Sequence, residues 1–116
     1  MYEDADNHYI VMEYLPAGTL LHFLAQLPDR FVYENEAKKI IGQLAQALSA
    51  LHARNIVHQD IKLENVLIDS QTGNCKLADF GAAMLLNSLD TNGCDRDSPV
   101  MGTRGYFAPE LLYNKP

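Results

Sequence analysis

His58-Gln59-Asp60-Ile61-Lys62-Leu63-Glu64-Asn65 is the stretch that decides how this chain reads. A carboxylate, an ammonium and a carboxamide stand within one short span, with a histidine just ahead of them. Asp79-Phe80-Gly81 follows, and then Ala108-Pro109-Glu110. A lone Asp-Phe-Gly or a lone His-x-Asp is more often an ordinary turn or a capping carboxylate. The three together, in this order and at these gaps, are far more specific.

The composition sets outer bounds. A chain of 116 residues is one domain or part of one, and 47% hydrophobic residues suffice for a core. The formal net charge is -6 and no Lys/Arg-rich run occurs, which argues against a nucleic-acid partner or an anionic membrane surface. No apolar stretch approaches a membrane span. Met1-Tyr2-Glu3-Asp4-Ala5-Asp6 is acidic and lacks a signal peptide's basic start. Cys75 and Cys94 have no metal-ligand spacing and read as reduced thiols. These features give an expectation of a cytoplasmic protein, with nuclear residence left open. The four histidines show no zinc-like spacing.

Local patterns place the motifs on elements. His8 to Met12 is a short apolar run expected to be a strand, broken by Pro16-Ala17-Gly18. Thr19 is positioned to cap a short helix reaching about Leu27, which Pro28 ends. From about Glu34 to Ala53, Ala37, Ile40, Ile41, Leu44, Leu48 and Leu51 recur at helical spacing. His52 closes that helix, where a positive charge is favourable. A loop at His58–Glu64 precedes a strand at about Val66–Asp69. The turn Ser70-Gln71-Thr72-Gly73-Asn74 then leads to a second strand at Cys75–Ala78, a hairpin pattern. Residues Asn87 to Pro99 are polar and turn-rich, and read as an exposed loop.

The three motifs resemble the catalytic loop, the metal-binding loop and the activation-segment end of eukaryotic-type protein kinases. The resemblance covers nearly the whole chain. It implies an α+β, protein-kinase-like fold, in part: the hinge strand and the first part of the mainly helical C-terminal lobe, with residues 1–116 as a partial kinase domain. It implies ATP and Mg²⁺ as cofactors, and a nucleotide and a protein Ser/Thr substrate as partners. Phosphoryl transfer needs an aligned hydroxyl, neutralised phosphates and fixed metal ions. By this resemblance Asp60 accepts or orients the substrate hydroxyl proton, and Lys62 contacts the transferred phosphate. Asn65 and Asp79 hold Mg²⁺, and Asp79 bridges it to the phosphates. Lys62, in Asp-x-Lys-x-x-Asn, is similar to Ser/Thr rather than tyrosine kinases, and Thr103 stands at the substrate-site threonine. Tyr9-Ile10-Val11-Met12-Glu13-Tyr14-Leu15 resembles the adenine-binding strand and hinge. There Met12 is the gatekeeper, and the Glu13 carbonyl and Leu15 amide pair with the base. Leu67 is the apolar floor, and Thr19 reaches the ribose. His58 braces the metal loop. The residues themselves leave an ordinary buried strand open for 9–15.

Two departures from the family stand out. Gln59 replaces an arginine that grips an activation-loop phosphate, and glutamine cannot form a bidentate phosphate pair. Weak control by loop phosphorylation through this residue is expected, with Ser88, Thr91 and Ser98 as candidate phosphosites. No glycine-rich loop precedes His8 and no lysine precedes Lys38. By resemblance this chain alone binds ATP poorly, transfers no measurable phosphate and exposes apolar surface. The rival readings are a non-catalytic kinase-like binding or scaffold protein and a truncated relic. A nucleotide hydrolase has less support, since no P-loop pattern occurs.

Overall fold

The computed structural model describes residues 1–86 and 100–113. The expected loop at 87–99, with Ser88, Thr91, Cys94 and Ser98, lies outside the described residues. In chain order the elements are β1 (Tyr2–Glu3), β2 (His8–Tyr9), α1 (Leu20–Gln26), α2 (Glu34–His52), β3 (Ile56–Val57), β4 (Val66–Asp69), β5 (Asn74–Leu77), β6 (Met84–Leu85) and α3 (Pro109–Tyr113). Short 3-10 turns occupy Leu63–Asn65 and Arg104–Tyr106. Among the described residues three antiparallel pairs form: β1 with β2, β3 with β6, and β4 with β5.

The helices begin where local chemistry starts them. Thr19 caps α1, its hydroxyl accepting from the His22 amide at 3.1 Å. Such a cap satisfies one of the amides a helix start leaves open, worth about 1 kcal/mol. At the start of α2, Glu36 reaches back to the Tyr33 amide at 3.1 Å, and Glu34 and Glu36 place negative charge in the first turn. The α2 bounds match the periodicity, and Ile40 on its apolar stripe is buried.

The β4–β5 hairpin is built by its turn. Asp69 accepts from the Gln71 amide at 2.9 Å and the Thr72 hydroxyl at 2.7 Å, while Gly73 adopts a φ of 66°. A left-handed φ of this kind costs glycine little. Helix α2 then holds the hairpin by polar contacts as well as apolar ones. Gln43 accepts from the Cys75 amide at 2.7 Å, and the Lys39 ammonium donates to the Thr72 carbonyl at 2.9 Å.

The core is small: Leu20, Ile40, Val66 and Ile68 from α1, α2 and β4. Each such burial contributes about 1.5–3 kcal/mol. Apolar surface elsewhere is open, with Ile10, Val11, Met12, Tyr14 and Ile41 all exposed.

One expected strand is shortened. His8–Met12 forms a strand only at His8–Tyr9, because its partner β1 is two residues long. With Tyr2 opposite Tyr9, residues 10–12 run past the end of β1 and have no strand beside them among the described residues. The pairing of β3 with β6 was not foreseen. Two-residue strands carry too little alternation to register as a pattern.

Candidate active site

The loop between β3 and β4 carries the candidate catalytic residues, and it is fastened from below by one histidine. His58 is 1% exposed and its Nε2 lies 3.0 Å from the Ala78 carbonyl. The Asp60 amide donates to His58 Nδ1 at 3.4 Å, so Nε2 carries the proton and donates to Ala78. The Phe80 ring lies against the imidazole, centroids 5.0 Å apart. A second tie runs from the Ala78 amide to the Asn65 carbonyl at 2.8 Å. Ala78 is therefore held from both sides, and the segment entering Asp79 is locked to the loop holding Asp60 and Asn65. The expected bracing role of His58 corresponds to this geometry.

Above that base Asp60, Lys62, Asn65 and Thr103 converge. The Lys62 ammonium lies 2.7 Å from Asp60 Oδ2. It also donates to the Thr103 hydroxyl at 2.7 Å, and that hydroxyl donates to Asp60 Oδ1 at 2.7 Å. Asn65 Nδ2 donates to the Asp60 carbonyl at 2.8 Å and to Oδ2 at 3.0 Å. Asp60 and Lys62 side chains are only 12% and 19% exposed. The hydrogen bonds from Lys62 and Thr103 outweigh burial and hold the Asp60 carboxyl down to about 2. Asp60 in turn raises the Lys62 ammonium above its usual value, with smaller help from Glu64 and Asp79. Both groups are thus fixed in their charged forms at neutral pH.

Backbone conformation shapes the same place. Gln59 and Asp79 adopt left-handed φ values of 67° and 60°. Non-glycine residues held there cost about 1–3 kcal/mol each and cluster at functional sites. Gly102, φ 108°, passes so close to the loop that a Cβ would sit 2.5 Å from the Gln59 carbonyl oxygen. Sequence reading singled out Thr103 but missed that its neighbour must be glycine. A glycine's reason for being small lies in what it touches.

The oxygen donors suit a hard cation. Asn65 commits its Nδ2 to Asp60, which leaves its side-chain Oδ1 as the donor atom for a ligand. Asp79 is exposed, and its Oδ1 accepts from the Gly81 amide at 3.1 Å. A carboxylate and an amide oxygen on two segments fastened together match the preference of Mg²⁺ for few protein ligands.

The expected nucleotide-site residues lie on a second path. Thr19 forms an isolated antiparallel bridge with Leu67, and the Ile68 amide donates to the Gly18 carbonyl at 3.1 Å. This lays residues 18–19 along β4. Leu15 is 7% exposed, while Met12 is 64% exposed. Among the described residues, no backbone hydrogen bond takes up the Glu13 carbonyl or the Leu15 amide. Thr19 already uses its hydroxyl oxygen as the α1 cap, keeping its proton to donate elsewhere. A cavity of about 410 Å³, lined by Phe23, Leu27, Phe31, Val32 and Ile40 among others, contains none of the candidate site residues. It lies between α1, α2 and the β4–β5 hairpin.

Known proteins place this arrangement in a family. The chain is 45% identical, over 90% of its length, to CBL-interacting protein kinase 4 of Oryza sativa subsp. japonica, of which it covers 22%. It is 43% identical to the citron rho-interacting kinase of Rattus norvegicus, with 96% of this chain and 5% of that protein aligned. To the serine/threonine-protein kinase MRCK beta of Homo sapiens it is 36% identical over 96% of its length, covering 6% of that protein. The chain thus spans a quarter or less of each of these relatives. The family model described as the protein kinase domain matches residues 1–116, and the chain belongs to that family.

Proposed function

We propose that the domain to which these residues belong transfers the terminal phosphoryl group of ATP to Ser/Thr hydroxyls of proteins. The observation that carries this reading is the closed ring of Asp60, Lys62 and Thr103, with Asn65 bonded to the same carboxylate. Kinship with proteins named as Ser/Thr kinases supports the same choice of substrate. Residues 1–116 are read as part of one catalytic domain, from the hinge strand to the end of the activation segment.

In this reading Asp60 orients the attacking hydroxyl. A carboxyl held at about 2 is a weak base, so its main work at neutral pH is to accept a hydrogen bond and aim the oxygen. Oδ1 accepts one bond from Thr103 and has a second lone pair for a substrate hydroxyl. Lys62 holds positive charge beside that oxygen, where negative charge gathers on the transferred group. Asn65 and Asp79 would hold Mg²⁺, which when bound neutralises phosphate charge. Met12, Glu13, Leu15, Thr19 and Leu67 form the nucleotide wall, with the unengaged Glu13 carbonyl and Leu15 amide as the pair that reads the base.

The test is radiolabel transfer by the full-length protein from [γ-³²P]ATP to a basic protein substrate, followed by phosphoamino-acid analysis. Label on serine and threonine, falling about 10²–10⁴-fold in Asp60→Asn, is the expected result. Equal rates for variant and parent would remove Asp60 from the role. A folded parent that transfers nothing would point to a binding protein.

A further inference from the structure

The path from Ile10 to Ala17 is fastened at few points. Among the described residues, its only main-chain bond is the local turn from the Gly18 amide to the Leu15 carbonyl. Among the described residues, its one ion pair or side-chain hydrogen bond to another element joins Glu13 to Lys76, 63 residues apart in the chain. Lys76 stands on β5 directly opposite Leu67 on β4. At the other end of the path, Gly18 and Thr19 bond to β4 through the main chain. The segment is thus tied at two places to one hairpin, with buried Leu15 between them. The ion pair thus links Glu13 to the cross-strand partner of Leu67.

We propose that Glu13 and Lys76 are positioning residues: their ion pair sets the gap between residues 13–15 and Leu67, and thereby tunes nucleotide affinity without entering the transfer step. The proposal rests on reading this cleft as the nucleotide site. Both side chains are half-exposed, at 61% and 51%. The effect is therefore modest and screened by salt. The alternative is a surface pair that orders nothing.

Two readouts separate these cases in the full-length protein. The first needs no nucleotide: hydrogen exchange at the Leu15 amide. Lys76→Glu should speed it about 3- to 10-fold, and the double reversal Glu13→Lys/Lys76→Glu should restore it. The second is affinity for a fluorescent N-methylanthraniloyl ATP. Glu13→Lys and Lys76→Glu should each weaken it about 3- to 10-fold in low salt, Lys76→Glu should leave kcat at saturating ATP unchanged, and the double reversal should recover the affinity to within about twofold. In about 0.5 M salt the differences should shrink toward none. Lys76→Met serves as the milder variant, with a smaller loss in the same direction. Unchanged exchange and unchanged affinity in the single reversals would overturn the proposal. Altered exchange beside a folded parent that binds no nucleotide would instead overturn the reading of the cleft, and the proposed role with it.

Discussion

Thr103 donates its hydroxyl proton to Asp60 Oδ1 at 2.7 Å across 43 residues of chain, while accepting from Lys62 at the same distance. The contact fastens the segment after residue 100 to the loop holding Asp60. It also makes the state of one carboxylate depend on a residue far away in sequence. Asp60 keeps its charge because donors converge on it, and the donors stay in place because the charge is there.

The protonation of Asp60 should be visible in acid stability. Its carboxyl is lowered from 3.8 to about 2 on folding, first by Lys62 and then by Thr103. A depressed acid contributes stability that is fully present above its unfolded value. That contribution should disappear as the pH falls from about 4 to about 2. Thermal melts of Asp60→Asn should show a flatter dependence across this window than the parent. A parallel fall in both proteins would assign the acid transition to other carboxylates. Lys62, raised above 10.5, behaves in the opposite sense: its contribution is present below that pH and lost as the pH rises through the folded value.

His58→Leu should destabilise the fold by about 1–3 kcal/mol, because the Ala78 carbonyl loses its donor within a packed site. Urea denaturation followed by circular dichroism reads this directly. His58→Gln, which can still donate to Ala78, should recover part of the loss. Equal midpoints for the parent and the leucine variant would show that the brace carries no net stability.

Gly102→Ala should be costly for two separate reasons. Its φ of 108° disfavours a side chain, and the new Cβ would meet the Gln59 carbonyl oxygen at 2.5 Å. We expect a loss of about 1–3 kcal/mol and release of Thr103 from Asp60. Gly105→Ala, where a Cβ would meet nothing within 4 Å, is the control and should change little. Melting curves of the pair give the comparison, and similar losses in both would refute the close-approach argument.

Gln59 should leave the site insensitive to phosphate on Ser88, Thr91 or Ser98. Its side chain carries no charge and makes no hydrogen bond among the described residues, whereas a phosphate needs paired cationic donors. Phosphatase treatment of active protein should change its rate by less than about twofold. A many-fold loss, traced to phosphate on Ser98, would contradict this.

Much of the fold was legible because its determinants are local. The α1 cap at Thr19, the stripe of α2 and the Asp69–Gly73 turn each depend on residues close in sequence. The strand at His8–Met12 was over-read because strand length is set by the partner, and β1 offers only Tyr2–Glu3. The pairing of β3 with β6 escaped notice for a related reason: it joins Ile56–Val57 to Met84–Leu85, and neither pair carries a pattern of its own.

By itself the sequence determined which chemical groups are present, their order, and the helices and hairpin that carry them. Tertiary structure alone decided which groups meet. It brought Thr103 to Asp60, placed the Ala78 carbonyl within reach of His58, pressed Gly102 against Gln59, and paired Glu13 with Lys76. The reason is physical. Helix propensity and turn chemistry act over a few residues, whereas a 2.7 Å hydrogen bond between residues 43 apart exists only after the intervening chain has packed. The depressed Asp60 carboxyl belongs to that second class, since its cause is the company it keeps rather than its place in the chain.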